Sequence, residues 1–351
     1  MRIVFYLRGI TDGGVGRFIK EIIKALTENY DAEIYILCDR KFSPSDTKKL
    51  TISRIDTTNK IMFDYFYSKK RLIDLEPDAL IYPKNVIPVT HRNTEWKKSV
   101  IIHDLGYFEK KLNAYPLLDT MYMKINIPRS CKIADTVFSV SGYTKKDLID
   151  RFNIDSSKIE VIGEGVDYAF FSSEVKPIVE LPYFFYAGSI SPRKNLSRVL
   201  AAFMKISHLV PHHLYITGLK NWGDRSFLKE YENMQSRIHI LGFVSEDDLV
   251  SLYRHADALL YPSLYEGFGL PILEAQAAGC PVITSNVTAC PETAGEGAII
   301  VDPYNTGEIA DAMLKIASDR DVSRSLVEEG YNNLNRFSWK KTVDKIIKKI
   351  Q

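Results

Sequence analysis

Short apolar runs alternate with amphipathic helical patterns along the whole chain. In the first half this alternation predicts strands at residues 3–7, 33–38, 79–82, 100–103, 136–140 and 159–162, and helices at 15–28 and 144–152. Strands that are apolar along their whole length and are separated by helices are typical of parallel sheets covered on both faces.

The second half repeats this alternation. It predicts strands at 183–187, 214–217, 238–241, 258–261 and 281–284, and helices at 196–206, 227–234, 247–255, 271–278 and 308–318. Two such series in one chain predict an α/β protein with two Rossmann-like domains, whose parallel sheets face a central cleft. A chain of 351 residues is long enough for two cores.

The domain boundary is expected in the polar stretch 172–182, which contains two prolines and precedes a new apolar strand. We therefore predict an N-terminal domain at 1–172 and a C-terminal domain at 173–337. The amphipathic segment 338–351 is predicted to be a final helix that crosses back to the N-terminal domain.

Composition and charge exclude several classes of protein. The chain is 45% hydrophobic and 26% charged, with a formal net charge of +2, which gives no general argument for nucleic-acid binding. We predict no signal peptide, and no apolar run approaches the ~20 residues that span a bilayer. The four cysteines show no paired spacing, as expected in a reducing cytosol. The expected location is the cytoplasm, with peripheral attachment to the inner face of the plasma membrane as an alternative.

Basic doublets in the first half allow two interpretations. They are most simply solvated surface, but they could also form a face that contacts anionic lipid or a lipid-diphosphate acceptor. The doublets are Lys48-Lys49, Lys69-Lys70-Arg71, Lys97-Lys98, Lys110-Lys111 and Lys145-Lys146.

The segment EGFGLPILE places Glu266 and Glu274 around a glycine loop and a helix start. The glycines at 267 and 269 let a ligand approach the backbone, and Pro271 suits a first helical turn. Carboxylates beside such a loop can accept hydrogen bonds from the vicinal hydroxyls of a ribose or a hexose. Two solvated glutamates are the simpler alternative, and the strand–loop–helix context makes it less favoured.

Two further glycine or basic loops follow predicted strands. Arg193 and Lys194 precede a helix, where two cations can bind a diphosphate. The segment TDGGVGR places Gly13 and Gly14 between the first strand and the first helix, although a structural turn explains it as well. His103 and Asp104 end a strand and are either structural or part of a site. No metal-binding motif is present, and Asp319-Arg320-Asp321 is interpreted as a turn between helices.

The run LYPSLYEGFGLPILEAQAAGCPVITSNVTACPE closely resembles the donor signature of family 4 retaining glycosyltransferases, which have the GT-B fold. AGSISPRKNL, IIHDL and IGEGVD also fit, so the likeness covers nearly the whole chain. The pattern is most similar to bacterial mannosyltransferases of surface-polysaccharide synthesis. One departure is Ser189, because many relatives have an arginine at this position; Arg193 is expected to compensate.

The resemblance implies roles for individual residues. Glu274 would bind the donor ribose, and Glu266 would hold the transferred sugar with the backbone of Gly267, Phe268, Gly269 and Leu270. Arg193 and Lys194 would bind the diphosphate, helped by Gly13 and Gly14. Phe243 and Val244 would lie beside the nucleobase, and His103 would contact the reacting hexose.

The resemblance further implies a metal-independent hexosyltransferase without a cofactor. GDP-mannose is the expected donor, with UDP- or dTDP-sugars as alternatives, and a glycan or lipid-linked glycan is the expected acceptor. A nucleotide-sugar epimerase and a non-catalytic subunit of a polysaccharide assembly complex remain alternatives of other classes. A dehydrogenase is disfavoured because the chain lacks a complete G-x-G-x-x-G motif.

Overall fold

The computed structural model describes residues 1–8, 13–39, 50–55, 57, 59, 62–109, 112, 115–218 and 236–351. The chain divides into two compact units. The N-terminal unit comprises residues 1–105, 118–165 and 339–351, and the C-terminal unit comprises residues 106–117 and 166–338. Residues 106–117 already belong to the C-terminal unit, and the chain returns to that unit at Val166, whereas the sequence pattern predicted a single boundary between residues 172 and 173.

In its described part, the N-terminal unit is a parallel sheet in the order β3-β2-β1-β4-β5-β6-β7. Its strands are β1 (Arg2–Leu7), β2 (Glu33–Cys38), β3 (Leu50–Arg54), β4 (Ala79–Tyr82), β5 (Lys97–Ile102), β6 (Thr136–Ser139) and β7 (Ile159–Val161). Its helices are α1 (Gly14–Asn29), α2 (Ser68–Leu75), α3 (Leu117–Ile133) and α4 (Gly142–Phe152). A π-helical turn (Phe63–Tyr67) leads into α2.

The strand order determines which helices share a face of this sheet. The connection from β1 to β2 runs in one direction along the sheet, and those from β3 to β4 and from β5 to β6 run in the other. Because such crossovers are right-handed, α1 covers one face, and α2 and α3 cover the opposite face.

The C-terminal unit is a second parallel sheet, ordered β10-β9-β8-β11-β12-β13 among the described strands. The strands are β8 (Tyr183–Ala187), β9 (His213–Thr217), β10 (Ile238–Gly242), β11 (Ala258–Tyr261), β12 (Val282–Ser285) and β13 (Ile299–Val301). The helices are α5 (Tyr168–Phe171), α6 (Leu196–Ile206), α7 (Glu246–Arg254), α8 (Leu270–Ala277), α9 (Cys290–Ala294), α10 (Thr306–Ser318) and α11 (Arg320–Leu334). Two clusters of buried apolar side chains cover this sheet.

The structure confirms the two parallel α/β sheets and corrects several bounds. The strand predicted at 100–103 starts earlier, at Lys97, and ends at Ile102, so that His103 lies just beyond it. The strand predicted at 281–284 is shifted by one residue. Helix 227–234 lies outside the described residues. Seven of the strands and helices named above were not predicted by the pattern: β3, β13, α2, α3, α5, α9 and α11.

The last helix, α12 (Trp339–Ile350), belongs to the N-terminal unit and packs on α1. The Trp339 ring meets the Phe18 ring edge-on, with 5.6 Å between ring centroids. The Tyr30 hydroxyl donates a hydrogen bond of 2.6 Å to Asp344 Oδ1. Because Ile346 is completely buried, apolar packing holds this helix in place.

Replacing Ile346 with alanine should therefore destabilise the N-terminal unit. Losing a buried isoleucine side chain typically costs about 2–5 kcal/mol in the free energy of unfolding. Urea unfolding followed by tryptophan fluorescence is a suitable measurement, since Trp96 and Trp339 both lie in this unit. The control is Lys348→Ala on the same helix, where the side chain is exposed and the expected change is within about 0.5 kcal/mol. Equal effects of the two changes would contradict this account of the packing.

Candidate functional site

Two loops of the C-terminal unit follow neighbouring strands of its sheet. One loop, 188–195, follows β8, and the other, 262–269, follows β11, which pairs with β8. The strands are parallel, so both loops lie at the same edge of the sheet. This carboxyl edge is where open α/β sheets bind ligands.

The Glu266 carboxylate lies between two cations of the neighbouring loop. Arg193 Nη1 is 2.9 Å from Glu266 Oε2, and Lys194 Nζ is 2.6 Å from Glu266 Oε1. Glu266 is only 6% exposed. Burial by itself would raise the pKa of this carboxyl group, but the charges of Arg193 and Lys194 outweigh burial and lower the pKa to about 2. Glu266 is therefore ionised throughout the neutral pH range.

Lys194 is buried against an aromatic ring as well as the carboxylate. Its Nζ donates a hydrogen bond of 2.5 Å to the Tyr261 hydroxyl and lies 4.6 Å from the Tyr261 ring centroid. Burial lowers the pKa of Lys194, and the adjacent Glu266 charge opposes this effect. With two cations and one carboxylate, the three side chains sum to a charge of +1.

Asn195 fixes the backbone that presents the two cations. It has a left-handed conformation (φ 62°) between the short 3-10 turn Pro192–Lys194 and α6. Its Nδ2 donates to the carbonyls of Pro262 (2.9 Å) and Pro303 (2.7 Å). A direct link between the loops is the Leu264 N–H bond to the Arg193 carbonyl, at 2.8 Å. No local sequence pattern indicated these bonds, because they join residues far apart along the chain.

The glycine loop after Glu266 ends at the start of α8. Gly269 has φ +103°, and a Cβ added there would lie 3.1 Å from Ile272 Cδ1. A glycine is therefore required for the backbone to enter the helix at this angle. Gly267 and Phe268 are buried, and the Thr293 hydroxyl donates to the Phe268 carbonyl at 2.6 Å. The helix begins at Leu270.

Glu274 lies in the second turn of α8 and is buried. The hydroxyl of Tyr253, a completely buried residue of α7, donates a hydrogen bond of 2.8 Å to Glu274 Oε2. This bond orients one carboxylate oxygen. Tyr253 was not singled out from the sequence, because a tyrosine within an amphipathic helix looks like an ordinary core residue.

Phe243 and Val244 directly follow β10. The Phe243 side chain is 80% exposed, whereas Val244 packs against a buried apolar cluster. An aromatic ring exposed to this degree offers a flat apolar surface to a planar ligand.

His103 follows β5 of the N-terminal unit and is buried. Its Nε2 lies 2.9 Å from the Pro83 carbonyl oxygen, which assigns the ring proton to Nε2. Nδ1 therefore carries the lone pair and lies 4.0 Å from Glu164 Oε1. Burial lowers the pKa of His103, so the imidazole is neutral at pH 7.

Gly13 and Gly14 lie at the start of α1 in the N-terminal unit and are exposed. Gly13 has φ +88°, and a Cβ added at either residue would meet no atom of the described residues within 4 Å. The described part of the chain therefore leaves room for a ligand near this backbone. Thr11 and Asp12 of the same motif lie outside the described residues.

The Asp319-Arg320-Asp321 sequence caps a helix. The Asp319 side chain accepts hydrogen bonds from the backbone N–H groups of Asp321 and Val322 at the start of α11. Among the residues that the structure describes, no group of three or more His, Cys, Asp or Glu side chains could hold a metal ion.

Comparison with known proteins identifies the family. The family model described as Glycosyltransferase Family 4 matches residues 12–170, and the model described as Glycosyl transferases group 1 matches residues 170–333. The chain belongs to glycosyltransferase family 4.

The relatives include two Escherichia coli proteins. O-antigen chain mannosyltransferase B is 30% identical over 68% of this chain and 65% of its own length. Serotype-specific mannosyltransferase WbdA is 27% identical over 71% of this chain and 33% of its own length. The match thus covers about two thirds of the first relative's length and about one third of the second's.

Among solved structures, sucrose-phosphate synthase from Thermosynechococcus elongatus aligns with a TM-score of 0.79 and 18% identity. The alignment covers 99% of this chain and 97% of that one. This likeness establishes the GT-B fold expected from the sequence.

Glu266→Gln should destabilise the C-terminal unit, because it leaves the buried Lys194 and the half-buried Arg193 without their counter-charge. Removing one partner of a buried ion pair typically costs about 3–5 kcal/mol. Chemical unfolding at pH 7 measures the loss, with the exposed Glu296→Gln of the same unit as a control.

The difference in stability between the wild type and Glu266→Gln should depend on pH in a defined way. The folded-state pKa of Glu266 is depressed from 4.5 to about 2, so its stabilisation is present above pH 4.5 and is lost as the pH falls towards 2. The stability difference between wild type and Glu266→Gln should therefore shrink below pH 4.5. A difference that stays constant down to the acid limit of folding would contradict the ion-pair assignment.

Proposed function

We propose that the protein is a retaining glycosyltransferase that moves a hexose, with mannose from GDP-mannose as the first candidate, to a glycan or lipid-linked glycan in cell-surface polysaccharide synthesis. The observation that carries this proposal is the Glu266 carboxylate held between Arg193 and Lys194 at the carboxyl edge of a parallel sheet. Membership of glycosyltransferase family 4 supports the reaction class.

The charge of the site suits a nucleoside diphosphate. The combination of Arg193, Lys194 and Glu266 leaves a net charge of +1 in a buried setting, where a charge acts more strongly than in water. The diphosphate gains negative charge as the bond to the sugar breaks, and cations fixed beforehand stabilise that change. We infer that both cations contact the diphosphate of the donor.

The other parts of the donor have candidate partners in the same unit. The Glu274 carboxylate, oriented by Tyr253, suits the two hydroxyls of a ribose. The exposed Phe243 ring, with Val244, suits the face of a nucleobase. The backbone of residues 267–270 is proposed to bind the sugar together with Glu266.

The proposed reaction uses no protein nucleophile. The acceptor hydroxyl attacks the anomeric carbon from the face that the diphosphate leaves, so the anomeric configuration is retained. The bond to the phosphate oxygen breaks, a new carbon–oxygen bond forms, and the hydroxyl proton passes to the departing phosphate oxygen. The protein contributes orientation and charge stabilisation. Metal independence is part of this proposal.

The roles of His103, Gly13 and Gly14 rest on the family resemblance. The neutral His103 imidazole can accept a hydrogen bond from a sugar hydroxyl through Nδ1, because Nε2 already donates to Pro83. The open backbone at Gly13 and Gly14 can donate to phosphate oxygens. These three residues are proposed to act on the hexose and the diphosphate.

The choice of mannose is supported by the names of the Escherichia coli relatives, both of which are mannosyltransferases. UDP- and dTDP-hexoses are the alternatives. In the described part of the chain no helix is long and apolar enough to cross a membrane. Contact with the anionic inner face of the plasma membrane, if the acceptor is lipid-linked, is therefore proposed to be peripheral.

Lys194→Ala should lower transfer from GDP-mannose by about a hundredfold in kcat. A cation aimed at charge that develops in the transition state is typically worth about 3 kcal/mol. The matched control is Lys205→Ala, an exposed lysine on α6 of the same unit, which should keep normal turnover. Steady-state kinetics in the presence of EDTA measures both variants and tests metal independence at the same time.

Circular dichroism establishes that the Lys194→Ala protein is folded at the assay temperature. Near-normal turnover of the folded variant would overturn the assignment of Lys194 to the diphosphate. A strict metal requirement in the wild type would overturn the metal-free mechanism.

A thermal-shift screen with GDP-, UDP- and dTDP-hexoses should identify the donor. A ligand at a hundred times its dissociation constant stabilises the folded state by about 2.7 kcal/mol. GDP-mannose is expected to raise Tm the most, and Glu274→Gln should reduce the shift because it removes a ribose ligand. The Glu296→Gln protein should respond like wild type. A larger shift with a UDP- or dTDP-sugar would replace mannose as the candidate, and equal shifts in both variants would contradict the role of Glu274.

A further inference from the structure

Helix α3 of the N-terminal unit exposes several apolar side chains, which would ordinarily be buried. Leu118, Met121, Tyr122 and Ile125 of α3 recur at intervals of three and four residues and are all exposed, Leu118 to 80%. The opposite side of the helix is buried, and its buried residues are Asn126, Ile127, Ser130 and Cys131. This exposed stripe is therefore additional to the face that packs on the sheet.

A second exposed group lies beside this stripe. Tyr65, Phe66 and Tyr67 of the π-helical turn are three consecutive exposed aromatic residues, with Phe66 at 63%. Buried Asp64 of the same turn pairs with Arg8, whose Nη2 donates a hydrogen bond of 3.1 Å to the Tyr122 hydroxyl of α3.

Arg8 therefore joins the turn to the helix through Asp64 and Tyr122. Both elements also lie on the face of the sheet opposite α1, as the crossovers require. We call the seven residues 65–67, 118, 121, 122 and 125 the aromatic–apolar surface.

Positive charge borders this surface. Lys69 and Lys70 lie in the first turn of α2, after Ser68; both are exposed, and neither forms an ion pair within the described part of the chain. A further cation, Arg129, lies on α3 four residues after Ile125.

Arg129 is half-buried and does not belong to the exposed edge. Its Nη2 donates a hydrogen bond to the Ile87 carbonyl, and its Nε and Nη1 are buried without a hydrogen-bond partner among the described residues. The exposed cations beside the surface are therefore Lys69 and Lys70.

Exposed aromatic, aliphatic and cationic side chains together indicate one class of partner. Aromatic and aliphatic side chains in one patch with two exposed lysines at its edge match a membrane interface, where apolar groups enter the acyl boundary and cations meet lipid phosphates. We propose that the aromatic–apolar surface of the N-terminal unit docks on an anionic lipid bilayer. This inference specifies the surface for the peripheral membrane contact proposed above, and it does not depend on the transfer chemistry.

Co-sedimentation with lipid vesicles tests the proposal without any sugar donor. The wild-type protein should bind vesicles that contain phosphatidylglycerol more tightly than vesicles of phosphatidylcholine alone, and added salt should weaken this binding. Lys69→Gln/Lys70→Gln should reduce the partition coefficient on the order of 20-fold, since each cation near an anionic surface contributes about fivefold. Phe66→Ser/Leu118→Ser should reduce it at least about tenfold.

Matched controls separate a specific surface from general charge or hydrophobicity. Lys20→Gln/Lys348→Gln removes two exposed lysines on α1 and on α12, which packs against α1 and thus away from α2 and α3. Leu209→Ser removes a leucine of the C-terminal unit that is 60% exposed. Both controls should bind vesicles like the wild type.

Three outcomes would overturn the proposal: no preference for anionic vesicles, equal losses in the variants and the controls, or a wild-type dimer that Phe66→Ser/Leu118→Ser dissociates without any vesicle binding. The last outcome would assign the surface to a second copy of the chain. The thermal response to nucleotide sugars reports separately on the C-terminal unit, so failure of membrane docking and failure of the proposed transfer are distinguishable.

Discussion

The candidate site depends on one buried carboxylate. Two cations on consecutive residues repel each other, and burial makes this repulsion stronger than it would be in water. Glu266 lies between Arg193 and Lys194 and removes most of that cost. The same arrangement leaves a positive charge for an anionic ligand, so a single carboxylate both stabilises the loops and sets the charge of the site.

The parallel sheet makes this arrangement possible. Arg193 and Glu266 are 73 residues apart in sequence, yet they follow the adjacent strands β8 and β11. Their loops are then held by backbone bonds and by Asn195, whose left-handed conformation turns the chain into α6. The cations are thus fixed before a ligand arrives, which reduces the reorganisation that binding would require.

The sequence predicted much of this organisation. Continuous apolar runs gave the same bounds as the structure for β4, β8 and β11, and the Gly-Leu-Pro segment located the start of α8. The sequence pattern missed β3, because this edge strand is largely exposed and has no apolar run. It also missed α3, because exposed and buried apolar residues on opposite sides of that helix remove its amphipathic period.

The contacts within the site were the least predictable feature. The sequence suggested separate roles for Glu266 and for Arg193 and Lys194, whereas the structure joins them as ion pairs. The bond from Tyr253 to Glu274 was likewise not foreseen. Such contacts depend on which loops the sheet brings together and on side-chain orientation, and neither is encoded in local periodicity.

A crystal structure of the protein with GDP-mannose bound in the absence of metal would show directly whether the two cations hold the diphosphate. We expect the diphosphate within about 3 Å of the side-chain nitrogens of Arg193 and Lys194, with the ribose hydroxyls on Glu274. A donor bound with its diphosphate away from both cations, or a diphosphate held through a metal ion, would contradict this expectation.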